Sequence, residues 1–228
     1  MKKGDILWAG VLAAFVTMLL IPATRAEFVA LTKGYPYLMG FAKVAILATM
    51  GELLALRIGR GDWAKPAGLW MRAVVWGLLG MSFVIVFDVF GAGAASATSR
   101  GLLPALPGFA GQVVTALLTS TLINLCFAPT MMALHRVTDT YIDLAEGRVA
   151  GLSQVKLAAV VGRIDWYGFV SFVVVKTVPL FWIPAHTVTF LLPPEYRVLN
   201  SALLSIALGV ILSLAKRAAR PAVAAKPA

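Results

Sequence analysis

Long apolar runs separated by short polar segments are the dominant pattern along the chain. Each run approaches the 20 or so residues that a helix needs to cross a hydrocarbon core about 30 Å thick. Little sequence is left between the runs for a separate soluble domain. The pattern predicts an all-α fold, a polytopic helical membrane bundle with about six transmembrane spans. The predicted spans are residues 6–22, 36–56, 72–92, 110–134, 167–190 and 198–215.

Composition supports lipid as the solvent of these helices. The 228 residues are 60% hydrophobic and only 13% charged, with a mean hydropathy of +0.88. A soluble domain of this size cannot hide so much apolar surface from water. We therefore expect one compact membrane domain.

The basic residues that give the net charge of +10 are distributed unevenly between the two sides of the predicted spans, and this asymmetry predicts the topology. Fourteen of the 20 Lys and Arg residues fall on one side of the predicted spans, and only Arg25, Lys33, Arg100 and Arg197 fall on the other. Positive charge collects on the inner side of membranes, so both termini are predicted to be inner. We expect membrane lipid as a partner, and no nucleic acid. The protein would lie in the cytoplasmic membrane of a prokaryote or an organelle membrane of a eukaryote.

The ends of the chain differ from its centre. Residues 1–34 are predicted to form an additional N-terminal span followed by an outer loop. Residues 35–217 are predicted to form the helical bundle, and residues 218–228 a disordered basic tail. The first span also has the basic start and small residues of a cleaved signal peptide, an alternative that stays open. Residues 91–108, rich in Gly, Ala and Pro, are predicted to form an outer loop.

Charged residues inside the spans are costly in lipid and should face protein. Lys43 and Asp88 lie at similar depth on adjacent spans, which predicts an intramembrane ion pair. Glu52 lies near the inner end of its span, within reach of Arg72 or Lys176. Such groups either fix the helix register or line a polar, water-accessible path.

The fourth span is the most polar. Gln112, Thr115 and Thr119 recur at helical spacing on one stripe, Asn124 lies on the next, and Pro129 loosens the helix. These side chains suit the wall of a water-filled pore. They equally suit hydrogen bonds between packed helices, and the sequence does not separate the two.

The interpretation as an enzyme depends on four residues that share one helix face at the inner surface. They are His135, Asp139, Asp143 and Glu146. Such a row could hold a divalent metal. Because no second cluster of carboxylates is apparent, we favour a solvated helix face, no enzyme, no metal and no cofactor. His186 is predicted to serve packing, and the single Cys126 excludes an internal disulfide.

Several spacings resemble the twenty-two-kilodalton peroxisomal membrane protein family, the Mpv-seventeen group, over residues 35–217. "YPYLMGFAKVAILATMGEL" supplies a proline and, fifteen residues on, a Gly-acid pair, and "INLCFAP" is similar to the third-span motif of the family. "LLPPEYR" is similar to its closing signature. The matching residues are Pro36, Gly51, Glu52, Asn124, Phe127, Ala128, Pro129, Pro193, Tyr196 and Arg197.

The resemblance implies a four- to five-span core and channel-like permeability to small solutes or ions. A pore-like protein with Glu52, Asn124 and the threonine stripe near its interior is the leading hypothesis, and a homo-oligomer is left open. The alternative is a non-transporting membrane scaffold or homeostasis protein. A metal-dependent lipid-modifying enzyme ranks third.

Overall fold

The computed structural model describes residues 2–218, and within this range the chain is helical with no strand. This confirms the all-α helical bundle. The helices are α1 (Lys3–Leu20), α2 (Pro22–Gly34), α3 (Pro36–Arg60), α4 (Leu69–Ser99), α5 (Gly108–Cys126), α6 (Ala128–Leu144), α7 (Val149–Leu152), α8 (Leu157–Arg163), α9 (Trp166–Leu191) and α10 (Pro194–Ala218). The side chains of residue 212 and of residues 215–218 are not described, and the tail predicted from residue 218 lies almost wholly outside the described residues.

Among the described residues, five helices are long and apolar enough to cross a membrane: α1, α3, α4, α5 and α9. They overlap the first five predicted spans, but the fourth predicted span, residues 110–134, extends beyond α5 into α6. The sixth predicted span falls on α10, so a total of six remains a prediction.

Helix α3 lies at the centre of the bundle, between α4 and α10. Small residues bring their backbones together, as bilayer helices require. A Cβ added to Gly80 would lie 2.3 Å from the carbonyl oxygen of Gly40, and one added to Gly51 would lie 3.3 Å from the Cα of Ile206. These glycines therefore set the spacing of α3 from both neighbours.

Two predicted loops are helical instead. The segment after the first span forms α2, with Pro22 at its first turn, where the missing N–H costs nothing. Helix α4 continues to Ser99, so only residues 100–107 of the predicted outer loop remain non-helical. The run "GAGAASATS" contains several alanines, the best helix formers, and no proline to stop the helix.

Ion pairs at the two ends of the bundle agree with the predicted topology. Lys2 pairs with Asp62 at 2.6 Å, which places the N-terminal residues beside the α3–α4 turn. At the other end Lys33 pairs with Glu195 at 2.8 Å and holds the end of α2 to the start of α10. Because Lys33 donates to it, the pKa of Glu195 lies below its usual value.

Two irregularities shape the interior. Helix α5 ends at Cys126 and α6 begins at Ala128, because Pro129 lacks the N–H needed to continue one helix. In α9, residues Phe169–Trp182 are wound as a π-helix, with the Ile183 N–H bonded to the Val178 carbonyl five residues back. Such windings are rare and are frequent at functional sites.

Candidate functional site

A cavity of about 370 Å³ occupies the interior of the bundle. We call it the central cavity. Helices α3, α4, α5, α6, α9 and α10 all contribute to its walls, and the π-helical part of α9 forms one side. The walls are mainly aromatic and aliphatic, with polar groups at the two ends. The aromatic residues are Trp76, Phe83, Phe87, Phe127, Phe169, Phe172 and Trp182.

We call the two ends of the central cavity inner and outer after the predicted sides of the membrane. The inner end contains Glu52, Trp76, His135 and Asp139. The indole Nε1–H of Trp76 donates to Glu52 Oε1 at 2.9 Å. Glu52 Oε1 also lies 3.6 Å from His135 Nε2, and His135 Nδ1 lies 3.7 Å from Asp139 Oδ2. The indole of Trp76 covers the imidazole of His135, with ring centroids 4.0 Å apart. Three helices thus bring four polar side chains to one point.

Arg72 is the cation beside this group. Its Nη1 lies 3.0 Å from Asp139 Oδ2, and its Nη2 donates to Asp143. Its Nε donates to the carbonyl of Ala67 at 3.1 Å. The guanidinium is buried, while Asp143 is largely exposed. Arg72 therefore balances the carboxylates of α6 rather than Glu52.

Burial changes the proton affinity of the α6 side chains. It raises the pKa of Asp139 to about 6, although Arg72 acts in the opposite direction. Burial also lowers the pKa of His135 to about 4, so the imidazole is neutral at pH 7.

The outer end of the central cavity is built around Asn124 and His186. The amide nitrogen of Asn124 lies 3.0 Å from His186 Nδ1 and donates to the Ser120 carbonyl at 2.8 Å. Ser120 in turn donates from its hydroxyl to the carbonyl of Ile183 at 2.7 Å, which ties α5 to α9. The imidazole of His186 lies against the rings of Phe87 and Trp182.

Buried polar atoms without partners concentrate at the central cavity. Six side-chain atoms in the described part of the chain are buried and make no hydrogen bond, and five of them belong to residues that line this cavity. Buried polar groups are normally satisfied, and water or a polar ligand in the cavity would supply the missing partners. The five are His135 Nε2, Asp139 Oδ1, Trp182 Nε1, His186 Nε2 and Ser201 Oγ.

Two clefts flank the central cavity. The inner cleft, of about 520 Å³, contains Arg60, Arg72 and Asp143 and shares Glu52 and Asp139 with the central cavity.

The outer cleft, of about 560 Å³, is lined by Gln112, Thr115, Thr119, Phe190 and Arg197 among others. It shares no lining residue with the central cavity. A layer of side chains separates the two, in which the rings of Phe87 and Phe190 lie 5.2 Å apart.

The predicted interior residues are divided between these spaces. Glu52 and Asn124 line the central cavity. Gln112, Thr115 and Thr119 line the outer cleft instead, and Gln112 is exposed. The hydroxyl of Thr119 donates to the Thr115 carbonyl at 2.8 Å. The five predicted interior residues therefore do not line one continuous space.

The predicted Lys43–Asp88 ion pair is wrong. Lys43 is buried and donates to Thr32 Oγ1 at 3.1 Å, with its Nζ 4.8 Å from the ring centroid of Phe28. Asp88 is exposed, and the described residues contain no ion pair between the two. Helix α2, predicted as a loop, supplies the partners of Lys43. Phe87 faces inward, so the next residue along the helix turns outward.

Three other expectations also differ. Glu52 bonds to Trp76 rather than to Arg72 or Lys176. His135 and Asp139 are mostly buried and face α3 and α4, so only the Asp143 and Glu146 part of the predicted solvated face is largely exposed. His186, predicted to serve packing alone, lines the central cavity.

The roles of Trp76, Trp182 and Ser201 were not predicted. Each lies in an apolar stretch where nothing in the spacing separates it from core residues. The ion pairs of Arg72 could have been predicted, because an arginine at the start of a span needs a nearby carboxylate. The helix face that carries His135, Asp139 and Asp143 provides two carboxylates.

The residues that carry the family resemblance occupy structural positions. Pro36 starts α3 and Pro129 starts α6. Phe127 and Ala128 lie at the α5–α6 junction, and Pro193 precedes α10. Tyr196 stacks on Phe28 with centroids 6.1 Å apart, and Arg197 donates from Nε to the Leu192 carbonyl at 3.0 Å.

The apolar helices define the chain as a multi-pass integral membrane protein of the all-α class. Comparison with protein-family models, with curated proteins and with solved structures finds no match to this chain. The family resemblance therefore stays a prediction.

Proposed function

We propose that the protein is a gated, channel-like passage for small solutes across its membrane. The observation that carries the proposal is the succession of the inner cleft, central cavity and outer cleft through the bundle. The inner cleft and the central cavity share Glu52 and Asp139 in their walls. The central cavity and the outer cleft are separated by one layer of side chains.

The lining favours a solute with an apolar body and one or two hydrogen-bonding groups. Most of the cavity wall is aromatic or aliphatic, which provides no replacement for the hydration shell of a bare ion. The unpartnered atoms of Trp182, Ser201 and His186 provide donors and acceptors for a polar group. A cavity of about 370 Å³ falls within the range of small-molecule sites.

Phe87 and Phe190 are the proposed gate. Their rings are in contact, and Phe87 also packs on the imidazole of His186. Rotation of either ring would join the central cavity to the outer cleft. The structure would then correspond to a state that is open to the inner side.

Cysteine accessibility tests this arrangement directly. Cys126 is exposed and is first replaced by Ser. In that background, Ser201→Cys reports on the central cavity and Thr115→Cys on the outer cleft. In oriented vesicles, a small membrane-impermeant thiosulfonate should label Ser201→Cys from the inner side only and Thr115→Cys from the outer side only. Adding Phe190→Ala should make Ser201→Cys reactive from both sides.

Leu125→Cys is the matched control, because Leu125 is on α5 and is exposed on the surface of the bundle. If that surface faces acyl chains, the reagent should not label it from either side. A Ser201→Cys protein that remains unlabelled from both sides, with and without Phe190→Ala, would contradict the passage. It would favour the alternative, a solid scaffold whose polar side chains serve packing.

Flux provides the second test. In reconstituted vesicles, Glu52→Gln removes the one carboxylate at the inner mouth that makes no ion pair with Arg or Lys in the described residues. We expect the relative flux of cationic and neutral small solutes to change, because the fixed negative charge at the mouth is lost. Asp143→Asn, at the exposed rim of the same cleft, should have a smaller effect. Identical fluxes for wild type and Glu52→Gln over the solutes tested would contradict a role for this mouth.

A further inference from the structure

The inner end of the central cavity contains a group of side chains with the composition of a metal site. Glu52, His135 and Asp139 each direct one ligand atom to a common point, and these atoms all lie within 4.8 Å of one another. The closest approach, from His135 Nε2 to Glu52 Oε1, is 3.6 Å. Ligand atoms about 2.0–2.2 Å from a tetrahedral ion lie roughly 3.4 Å apart, so small side-chain rotations would suffice.

Two of the three residues carry a buried polar atom that has no hydrogen-bond partner. These atoms are His135 Nε2 and Asp139 Oδ1, and neither makes a hydrogen bond within the described part of the chain. Because His135 Nε2 lies 3.6 Å from Glu52 Oε1, the unpartnered ring nitrogen is close to the carboxylate of the third residue.

The neighbours of the three ligands act as orienting groups. Trp76 donates to Glu52 at 2.9 Å and fixes the direction of that carboxylate. Arg72 holds Asp139 through Oδ2 at 3.0 Å, and Oδ1 of the same carboxylate has no hydrogen-bond partner in the described residues. Metal-binding carboxylates are usually held in this way by outer partners. The guanidinium therefore positions one ligand without occupying its free oxygen.

We propose that Glu52, His135 and Asp139 bind one divalent transition-metal ion, of which Zn²⁺ is the best fit. One imidazole and two carboxylates from α3 and α6 supply three ligands, and the fourth position faces the central cavity. Three protein ligands with one open position are typical of reactive zinc sites. This proposal is independent of solute passage, because the ion would also bind in a closed bundle.

The test is a zinc titration of the full-length protein in detergent, with Cys126→Ser and a purification tag free of histidine. After chelator treatment, we expect one Zn²⁺ per chain, measured by competition with a chromophoric chelator. Glu52→Gln and His135→Gln should each abolish binding, and Trp76→Phe should weaken it about 10–100-fold as an outer-partner change does. The chain has one other histidine, so His186→Gln is the matched control and should bind as the wild type does.

A variant that fails to fold would also lose metal, so each variant is checked for unchanged helix content and a single elution peak. X-ray absorption of the zinc-loaded wild type needs no variant and should show one imidazole among nitrogen and oxygen ligands. Absence of saturable binding, binding retained in His135→Gln, binding lost in His186→Gln, or a spectrum without imidazole would each overturn the proposal.

Discussion

Replacement of Arg72 by Met should destabilise the bundle because it isolates a buried carboxylate. The Arg72 side chain is only 8% exposed, and Asp139, its closest well-buried partner, is 22% exposed. Methionine has a similar length and is apolar, so it leaves little cavity. The main consequence is therefore electrostatic, since Asp139 would stay buried without its cation.

The size of the effect follows from the burial of each partner. Breaking a buried ion pair by removing one side costs about 3–5 kcal/mol of unfolding free energy. Because Asp139 is partly exposed, we expect Arg72→Met to lower the unfolding free energy by about 3 kcal/mol, the low end of this range. Asp143 is 57% exposed, so its contribution is that of a surface pair, about 0–1 kcal/mol.

The diagnostic measurement is a double-mutant cycle with Asp139→Asn. The amide carries no charge to be left unpaired, so adding Asp139→Asn to Arg72→Met should restore about 1–2 kcal/mol. Unfolding free energies would be obtained by SDS titration in mixed micelles with chelator present. Lys33→Met is the matched control: it breaks a pair with Glu195 in which Lys33 is 64% exposed, and it should cost less than about 1 kcal/mol.

The result that would refute this reasoning is a lack of rescue. If the double variant is no more stable than Arg72→Met, the loss comes from packing or from the Ala67 carbonyl that Arg72 also binds. A cost for Arg72→Met no larger than that of the Lys33 control would equally exclude a buried, charge-balancing role.

The remaining stability predictions concern helix contacts and use the same unfolding titration. Gly80→Ala should cost about 2 kcal/mol, because the new methyl group would lie 2.3 Å from a carbonyl oxygen of α3. Gly91→Ala on the same helix meets open space and should change stability by less than about 1 kcal/mol. Ser120→Ala removes the buried 2.7 Å bond to α9 and should cost about 1–2 kcal/mol. Thr121→Ala should leave the unfolding free energy nearly unchanged, because the exposed Thr121 hydroxyl bonds only to a carbonyl within α5. Equal effects within either pair would contradict the corresponding contact.

The sequence was sufficient to predict an all-α bundle and the apolar helices that could span a membrane, while their orientation stays a prediction. Apolar length decides whether a segment can span lipid, and the distribution of Lys and Arg decides its orientation. Both quantities are read residue by residue without knowledge of contacts. Loops were predicted less well, because the Gly- and Ala-rich end of α4 has a composition compatible with either helix or loop.

The rotation of each helix could not be predicted, and the site depends on it. Helix α4 is apolar on all sides, so its pattern does not indicate that Phe87 faces inward and Asp88 outward. A residue placed one position along a helix turns by about 100°, enough to move a charge from the interior to the surface. Asn124 and Glu52 line the central cavity, in line with the tendency of polar groups in a span to face protein, whereas Asp88 does not follow this tendency.

The hydrogen bonding of buried polar groups helps to distinguish an interior that is only packed from one that binds water or a ligand. Away from the central cavity, Ser120 bonds across helices, and Asn200 donates to Thr189 at 2.8 Å. Lys43 likewise has Thr32 as its acceptor. If the polar residues served packing alone, those at the cavity should be satisfied in the same way.

Several polar side chains at the cavity are not satisfied, although others, such as Asn124, are. Trp182 and Ser201 are 8% and 3% exposed and have no hydrogen-bond partner within the described residues. Each such group costs about 1–3 kcal/mol when it stays unpaired, and several of them share one space. That cost is avoided if something polar fills the cavity, either water on a path through the bundle or a bound ligand. Both possibilities are compatible with the proposed passage through the bundle interior.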